Sequence, residues 1–380
     1  MRIIKQLIKW LFCIYVMTSL LIPASIVNKI CFIGILFLYT LQLSKTKQRK
    51  IISISPVVIV MIYFYGFAKS LVGESDFTLA FQFLMFSVTL ILIYPIFKND
   101  IDVNKIVKKS GIMLAISTFL LYIMLVLEIS FFGSEFLTDL FQNYGLIAMG
   151  YRGFFGNDTL FVHFGTVPFL FLPGCLYVKD YLKNKSITQL VLITMIFAAI
   201  FLSTSRALIL GFILTVFILI ILNKKGFSKI FTAYFFIVVS VLAVLYLVNN
   251  STVFDVNDSS NRIKIEDAKS FIDQMTVETA LIGNGLATYY YTAGRGRFLS
   301  HTENTLFDTI RYFGVIFTFL IYYSLIIPTK KLKMVKSNKD SLFIFLIYLV
   351  MSLTNPILFN SLGGIVILWY WYSILKVDNS

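Results

Sequence analysis

Residues 187–222 read ITQLVLITMIFAAIFLSTSRALILGFILTVFILIIL, and Arg206 is the only charged residue among them. A membrane-spanning helix needs about 20 apolar residues, and the shortest spans have about 17. The stretch therefore has the length of two short spans joined by a tight turn. Because a guanidinium is costly in hydrocarbon, we expect Arg206 at that turn rather than at the centre of the bilayer.

The composition of the whole chain agrees with this interpretation. Of the 380 residues, 58% are hydrophobic and 14% are charged, whereas about a quarter of a soluble domain is charged. The apolar residues form long runs, which predicts an all-α, polytopic helical bundle that is a single integral membrane domain over residues 1–380. We expect about twelve transmembrane helices, at 8–22, 26–43, 52–68, 77–97, 110–127, 160–178, 187–203, 207–222, 230–248, 304–327, 341–354 and 357–375.

The basic residues predict the orientation of these spans. If the N-terminus is cytoplasmic and the spans alternate, most lysines and arginines lie inside, as the positive-inside rule requires. Both termini are then cytoplasmic. The basic start with an apolar core is also typical of a signal peptide, but a second span follows at once, which favours a signal anchor. The inside loops are 45–50, 98–109, 179–185, 223–229 and 330–340.

The net charge of +14 is explained by this asymmetry and by contact with anionic membrane lipids, so nucleic acid is not an expected partner. Cys13, Cys31 and Cys175 lie in apolar runs and are interpreted as packing residues. The sequence has no P-loop and no spacing of metal ligands. We therefore expect no cofactor and no metal.

Two outer segments are too long to be simple connections, and loops of such length often carry function. They run from Glu128 to Asp158 and, between spans nine and ten, from Asn249 to Thr302. The second loop contains a predicted amphipathic helix, which the turn GNG at 283–285 then ends. Its cap is Ser259, Ser260 or Asn261, and its apolar stripe is Ile265, Ala268, Phe271, Ile272 and Met275.

Five arginines lie on the predicted outer face: Arg152, Arg206, Arg262, Arg295 and Arg297. Arg206 is either an anchor that snorkels to the interface or a functional cation, and each of the others taken alone fits an ordinary loop charge. Arginine binds phosphate in a bidentate manner. The set as a whole predicts a diphosphate site at the level of the lipid headgroups.

His301 and Glu303 stand together where span ten begins. Either can act as a general base toward a sugar hydroxyl, and the alternative is that this segment caps the helix. The chain's other histidine, His163, is expected inside span six, near its outer end, where packing and catalysis fit equally well.

These residues resemble the bacterial O-antigen polymerase and O-antigen ligase family, the Wzy and WaaL type of membrane glycosyltransferases. The resemblance covers roughly residues 145 to 325, and the first five spans match only in hydropathy. Three motifs carry it: YRGFFGND (151–158), FLSTSRALILGF (201–212), and NRIKIEDAKSFIDQMTVETALIGNGLATYY (261–290) followed by HTENTLFDTIRYFGVIF (301–317).

The resemblance implies a GT-C-like fold. It also implies that the protein polymerises oligosaccharide repeat units carried on undecaprenyl diphosphate, on the outer face of the bacterial cell membrane. In the family's register Glu303 takes the position often held by His, so the base is His301 or Glu303. The catalytic set is then Arg206, Arg262, His301 and Glu303, with the diphosphate or glycan bound by Arg152, Asn157, Arg295, Arg297 and Asn304. A chain-length regulator is a further implied partner.

Three other functions remain open on the sequence. A ligase of the same family would transfer finished glycan to another acceptor. A flippase or other secondary transporter of lipid-linked sugars would show internal repeats, broken helices and charges near the midplane. A non-catalytic assembly partner would have no reason for the arginines.

Overall fold

The structure is a computed structural model in which residues 2–23, 25–44, 53–127, 139–143, 145–154, 157–226, 228–236, 238, 259–302, 304–329, 335, 337–353 and 355–376 are described. The chain divides into two units. The first unit comprises Met1–Lys45 and Asn99–Val244, and the second comprises Thr46–Lys98 and Leu245–Ser380.

The described part of the chain is predominantly helical, with two short antiparallel hairpins. The strands are β1 (Ile147–Phe154), β2 (Asn157–Phe164), β3 (Tyr290–Thr292) and β4 (Arg297–Leu299). The helices are α1 (Arg2–Leu21), α2 (Ile26–Ser44), α3 (Ser55–Ser70), α4 (Phe77–Thr89), α5 (Ile93–Lys98), α6 (Val103–Val126), α7 (Phe171–Asn184), α8 (Ile187–Leu202), α9 (Arg206–Asn223), α10 (Ser259–Asp273), α11 (Val277–Ile282), α12 (Thr305–Ile326), α13 (Lys339–Ser352) and α14 (Ser361–Lys376).

Six helical segments among the described residues are long and apolar enough to cross a membrane, which agrees with a membrane-embedded protein. They are α1, α2, the continuous segment Phe77–Lys98, α6, α9 and α12, and two shorter apolar helices, α3 and α8, accompany them. The total of twelve spans stays a prediction. The ninth predicted span is helical at 228–236, and its residues 239–248 lie outside the described ones.

The sixth predicted span, 160–178, is wrong at its start. Residues Asn157–Phe164 form strand β2, and the helical backbone begins with a 3₁₀ turn at Val167, where Pro168 suits the first helical positions. The reason is that Leu160–Phe164 is uncharged and rich in aromatic and branched residues, a composition that favours a strand and also raises hydropathy. His163 is therefore a strand residue, and its Nδ1 lies 2.8 Å from the carbonyl oxygen of Phe164.

One end of the first unit gathers segments that the sequence predicts to be cytoplasmic. Lys5 and Asp100 form an ion pair at 3.1 Å, and Lys108 and Asp180 form another at 2.7 Å. These residues come from the start of α1, the connection before α6, the first turns of α6 and the end of α7. The polar ends of three helices therefore meet on one side of the unit.

In the second unit α14 is largely buried, and α4, α5 and α13 pack against it. Trp369 and Trp371 are both fully buried. The indole Nε1 of Trp371 donates to the Leu325 carbonyl at 2.9 Å, and the ring of Tyr370 stacks on Phe345 with centroids 4.2 Å apart. These contacts fix the end of α12 against α13 and α14.

Helix α12 is interrupted at Gly314, where φ is 77° and ψ is 170°. The interruption frees carbonyl groups, and the loop after α11 binds them: Asn284 N–H donates to the Arg311 carbonyl at 2.7 Å, and Gly285 N–H donates to the Tyr312 carbonyl at 3.0 Å. Backbone that is not helical is tolerated at membrane depth only where its polar groups are satisfied. The GNG turn thus lies against the break in α12, and it terminates α11 rather than the long loop helix, which has already ended at Asp273.

Candidate functional site

Arg206 is the first residue of α9 and lies at the tight turn between α8 and α9, as the sequence predicts. In this turn Thr204 has a left-handed φ of 49°, and the Ser203 hydroxyl donates to the Ile200 carbonyl at 2.6 Å. A cation in the first turn of a helix opposes the helix dipole, which costs about 0.3–1 kcal/mol. Helix stability therefore does not explain why an arginine stands at this position.

Arg152 and Asn157 lie in the β1–β2 hairpin of the first unit. Arg152 pairs with Thr159 across the hairpin, and Asn157 pairs with Phe154. The base of the hairpin packs on α6 through Ile147, and the five residues from Ile147 to Arg152 extend about 17 Å. Arg152 thus lies toward the tip of a hairpin rather than directly before a span.

The predicted loop helix is present as α10, but its packing face differs from the predicted stripe. Phe271 stacks on Phe307 of α12 with ring centroids 4.7 Å apart. The Ser270 hydroxyl accepts a hydrogen bond from Ala293 N–H at 2.9 Å, whereas Ile272 is exposed. The reason is that the β3–β4 hairpin offers backbone polar groups to α10, and polar side chains bind them.

Arg262 and Arg295 are brought to the same corner of the second unit. The hairpin turn at Gly294 lies against the backbone of Ile263. There Arg295 Nε is 3.5 Å from the largely buried Asp267 carboxylate, and the exposed Arg262 makes a long pair, 3.9 Å, with Glu266 one turn along α10. Arg295 is thus part of the packing between hairpin and helix, while Arg262 faces solvent.

Arg297 opens β4 and is exposed, and His301 follows the same strand. The four residues from Arg297 to His301 extend about 13 Å along an extended chain. The arginine corner and the histidine therefore lie toward opposite ends of one short, ordered hairpin.

His301 is exposed, four residues before the start of α12. The cap of that helix is Asn304, whose side-chain oxygen accepts hydrogen bonds from Leu306 N–H and Phe307 N–H, both at 3.1 Å. Asn304 thus serves the helix, and capping does not use His301. Glu303, the alternative base, lies outside the described residues.

The sequence interpretation missed a buried ion pair next to this histidine. Arg311 is 3% exposed, and its Nη2 lies 3.1 Å from Asp308 Oδ1 on the same face of α12. The signal was available, because Asp308 and Arg311 are the only charged residues between Asn304 and Thr329. Two opposite charges three residues apart in such a run indicate a specific contact.

Two tyrosine rings enclose the guanidinium of Arg311. Its carbon lies 4.3 Å from the ring centroid of Tyr290 and 4.7 Å from that of Tyr312. Burial, reinforced by the nearby Asp308 carboxylate, raises the pKa of Tyr290 to about 12, although Arg311 opposes the shift. Tyr290 therefore stays neutral near neutral pH and offers an intact ring face to the cation.

The candidate residues fall into both units: Arg152, Asn157 and Arg206 in the first, and the others in the second. Among the described residues, no three His, Cys, Asp or Glu side chains come close enough to hold a metal ion. Comparison of the chain with protein-family models, with curated proteins and with solved structures finds no match.

Proposed function

We propose that the protein is a polysaccharide polymerase of the outer face of the bacterial cell membrane. It transfers a glycan from a polyprenyl diphosphate to a sugar hydroxyl of a second lipid-linked repeat unit. The observation that carries the proposal is the segment of the second unit that precedes the apolar helix α12, in which a solvent-facing histidine follows exposed arginines. A lipid-linked glycan presents its diphosphate and its sugar at the surface of the membrane, where an apolar spanning helix begins.

The chemistry requires no nucleotide, because the sugar is already activated by its diphosphate. The acceptor hydroxyl loses its proton to His301, or to Glu303 beside it, and the oxygen forms a bond to the anomeric carbon. The bond from that carbon to the diphosphate oxygen breaks, and the diphosphate leaves with the electron pair. Arginine neutralises the charge that develops on the leaving group, and a single displacement inverts the anomeric centre.

In the second unit the exposed Arg262 and Arg297 are the arginines best suited to the diphosphate, since Arg295 already contacts Asp267. Arg206 supports the proposal independently. It is a cation in the first turn of α9, and the Ser205 side chain caps none of that helix's described amides. Amides at a helix N-terminus that are not capped by a side chain favour the binding of phosphate.

Purified protein in liposomes, supplied with polyprenyl-diphosphate-linked repeat units and no nucleotide, tests the proposal. We expect a ladder of lipid-linked polymers and free polyprenyl diphosphate, measured by gel and mass spectrometry. His301→Ala should lower the rate by about 10²-fold or more, as loss of a general base does, while His163→Ala, the only other histidine change possible, should retain it. Transfer of finished polymer to a different acceptor would indicate a ligase, and an inactive wild type would contradict the proposal.

Transport is the second candidate, because the break in α12 at Gly314 is a feature that transporters use at substrate sites. The break in this protein is filled by its own outer loop, whose Asn284 and Gly285 amides bind the freed carbonyls. A filled break favours a fixed scaffold over a moving gate. In the same liposomes, movement of lipid-linked repeats between leaflets without polymer formation would favour transport.

A further inference from the structure

The buried pair Asp308–Arg311 binds the backbone on both sides of His301. Arg311 Nη2 donates to the Ser300 carbonyl at 2.7 Å, and the Tyr312 hydroxyl donates to the same carbonyl at 2.6 Å. On the other side, Thr302 N–H donates to Asp308 Oδ2 at 2.6 Å. Both neighbours of the exposed histidine are therefore fixed to α12.

The pair also fixes the strand that approaches from the other direction. Arg311 Nη1 donates to the Thr288 carbonyl, and it lies 3.3 Å from the Thr288 hydroxyl. The Tyr290 ring covers the guanidinium. One side chain thus ties the segment before the β3–β4 hairpin and the segment after it to the same turn of α12.

Stability alone is a weak reason for such a pair, because apolar side chains of similar volume often stabilise a buried site at least as well. A planar guanidinium with several fixed donors gives something that apolar residues do not, namely a defined geometry for several backbone groups at once. The residue whose position is defined on both sides is His301.

We propose that Asp308 and Arg311 are positioning residues that hold His301 in the orientation needed to accept the proton of the acceptor hydroxyl. The inference rests on the proposed function and adds to it two residues that do not touch substrate. Their effect on the reaction passes through the backbone at Ser300 and Thr302.

Kinetics in the liposome assay separate positioning from binding. Arg311→Lys retains a positive charge but cannot reach all of the acceptors, and Asp308→Asn weakens the hold on Thr302. Because a displacement of about 1 Å can cost about 10²-fold in rate, we expect kcat to fall by about that factor in each variant with KM nearly unchanged. Asp180→Asn, which removes a carboxylate from the ion pair with Lys108 in the other unit, is the matched control. Unchanged kcat in both site variants would overturn the inference.

A readout independent of activity completes the test. A spin label at His301→Cys, in protein whose Cys13, Cys31 and Cys175 are replaced, should be ordered with Arg311 present and mobile with Arg311→Lys. A second label at Asp273→Cys, on the exposed side of α10, should keep its mobility, since Phe271 and Ser270 hold α10 by other contacts.

An ordered label at residue 301 in Arg311→Lys would overturn the inference whatever the enzyme does. Loosening of both labels would also overturn it, because the pair would then serve folding in general. A label that loosens only at residue 301, in protein whose wild type forms no polymer, would support the hold on His301 and contradict the proposed function.

Discussion

Arg206 and Arg311 each lie in a long apolar stretch of sequence, and their surroundings differ. The guanidinium of Arg311 is buried, paired with Asp308 and covered by two tyrosine rings, so its charge is compensated by the protein. Arg206 is half-buried at the start of a helix whose dipole disfavours a cation. We assign Arg206 to the diphosphate because a planar guanidinium can bind two phosphate oxygens at once and because a helix N-terminus favours phosphate.

We predict that Arg206→Lys loses most of the transferase activity at equal protein level. Lysine keeps the charge but cannot make the bidentate contact with phosphate oxygens. The measurement is the length of polymer made by cells or liposomes that contain the variant. Arg2→Lys, the same change at an exposed residue of α1, is the control, and polymer of wild-type length from Arg206→Lys would remove Arg206 from the site.

Tyr290 gives a prediction in pH. Its pKa is raised to about 12, above the ordinary value of about 10, so folding favours the protonated phenol. The contribution of Tyr290 to stability is therefore complete below about pH 10 and is lost as the pH rises through about 12. The difference in tyrosinate absorbance between wild type and Tyr290→Phe, measured against pH, should have its midpoint near pH 12. A midpoint near the ordinary tyrosine pKa of about 10 would show that the ring is not buried against Arg311.

Among the elements, the junction of α11 and α12 depends on glycine at two positions. Gly283 and Gly314 have φ of 70° and 77°, and a β-carbon at Gly314 would meet the Leu281 carbonyl. The close approach allows the loop after α11 to bind the open carbonyls of α12. The path of the loop, and with it the position of the hairpin, follows from these two glycines.

Gly314→Ala should therefore destabilise the protein by about 1–3 kcal/mol from backbone strain alone, with a further penalty from the clash. We expect a lower unfolding temperature in detergent, measured by the fluorescence of the three tryptophans. Gly34→Ala, in the interior of α2 where the nearest atom is the flexible end of Leu11, should be nearly neutral. Equal stability of the two variants would contradict the account of the junction.

Hydropathy predicts the described helices well, because a long run such as Arg206–Asn223, which is uncharged after its first residue, has few alternatives to a span. It fails in β2, where the uncharged residues Leu160–Phe164 of a strand resemble the start of a span. Hydropathy also does not predict which distant segments of the chain contact one another. The buried pair Asp308–Arg311 binds Thr288, Ser300 and Thr302 through hydrogen bonds mostly to backbone groups. No pattern of side chains in the sequence predicts those bonds.

At the scale of the whole molecule, the six apolar helices of spanning length among the described residues indicate a membrane-embedded protein. The predicted cytoplasmic segments of the first unit meet at one end of it, through Lys5–Asp100 and Lys108–Asp180. The proposed chemistry requires Arg206 and His301 each to face outward. The orientation and the function are thus one hypothesis. The proposed substrate, a repeat unit activated by its lipid diphosphate and not by a nucleotide, is available on the outer face of the membrane.

The measurement that tests this hypothesis most directly is the lipid-linked glycan pool of a bacterial strain that lacks the protein, determined by mass spectrometry. Wild type and Arg206→Ala are restored in parallel. We predict that single repeat units accumulate on the outer face and that only wild type clears them into polymer. Full-length polymer retained on the lipid carrier, or repeat units trapped on the cytoplasmic side, would contradict a polymerase and indicate a ligase or a transporter instead.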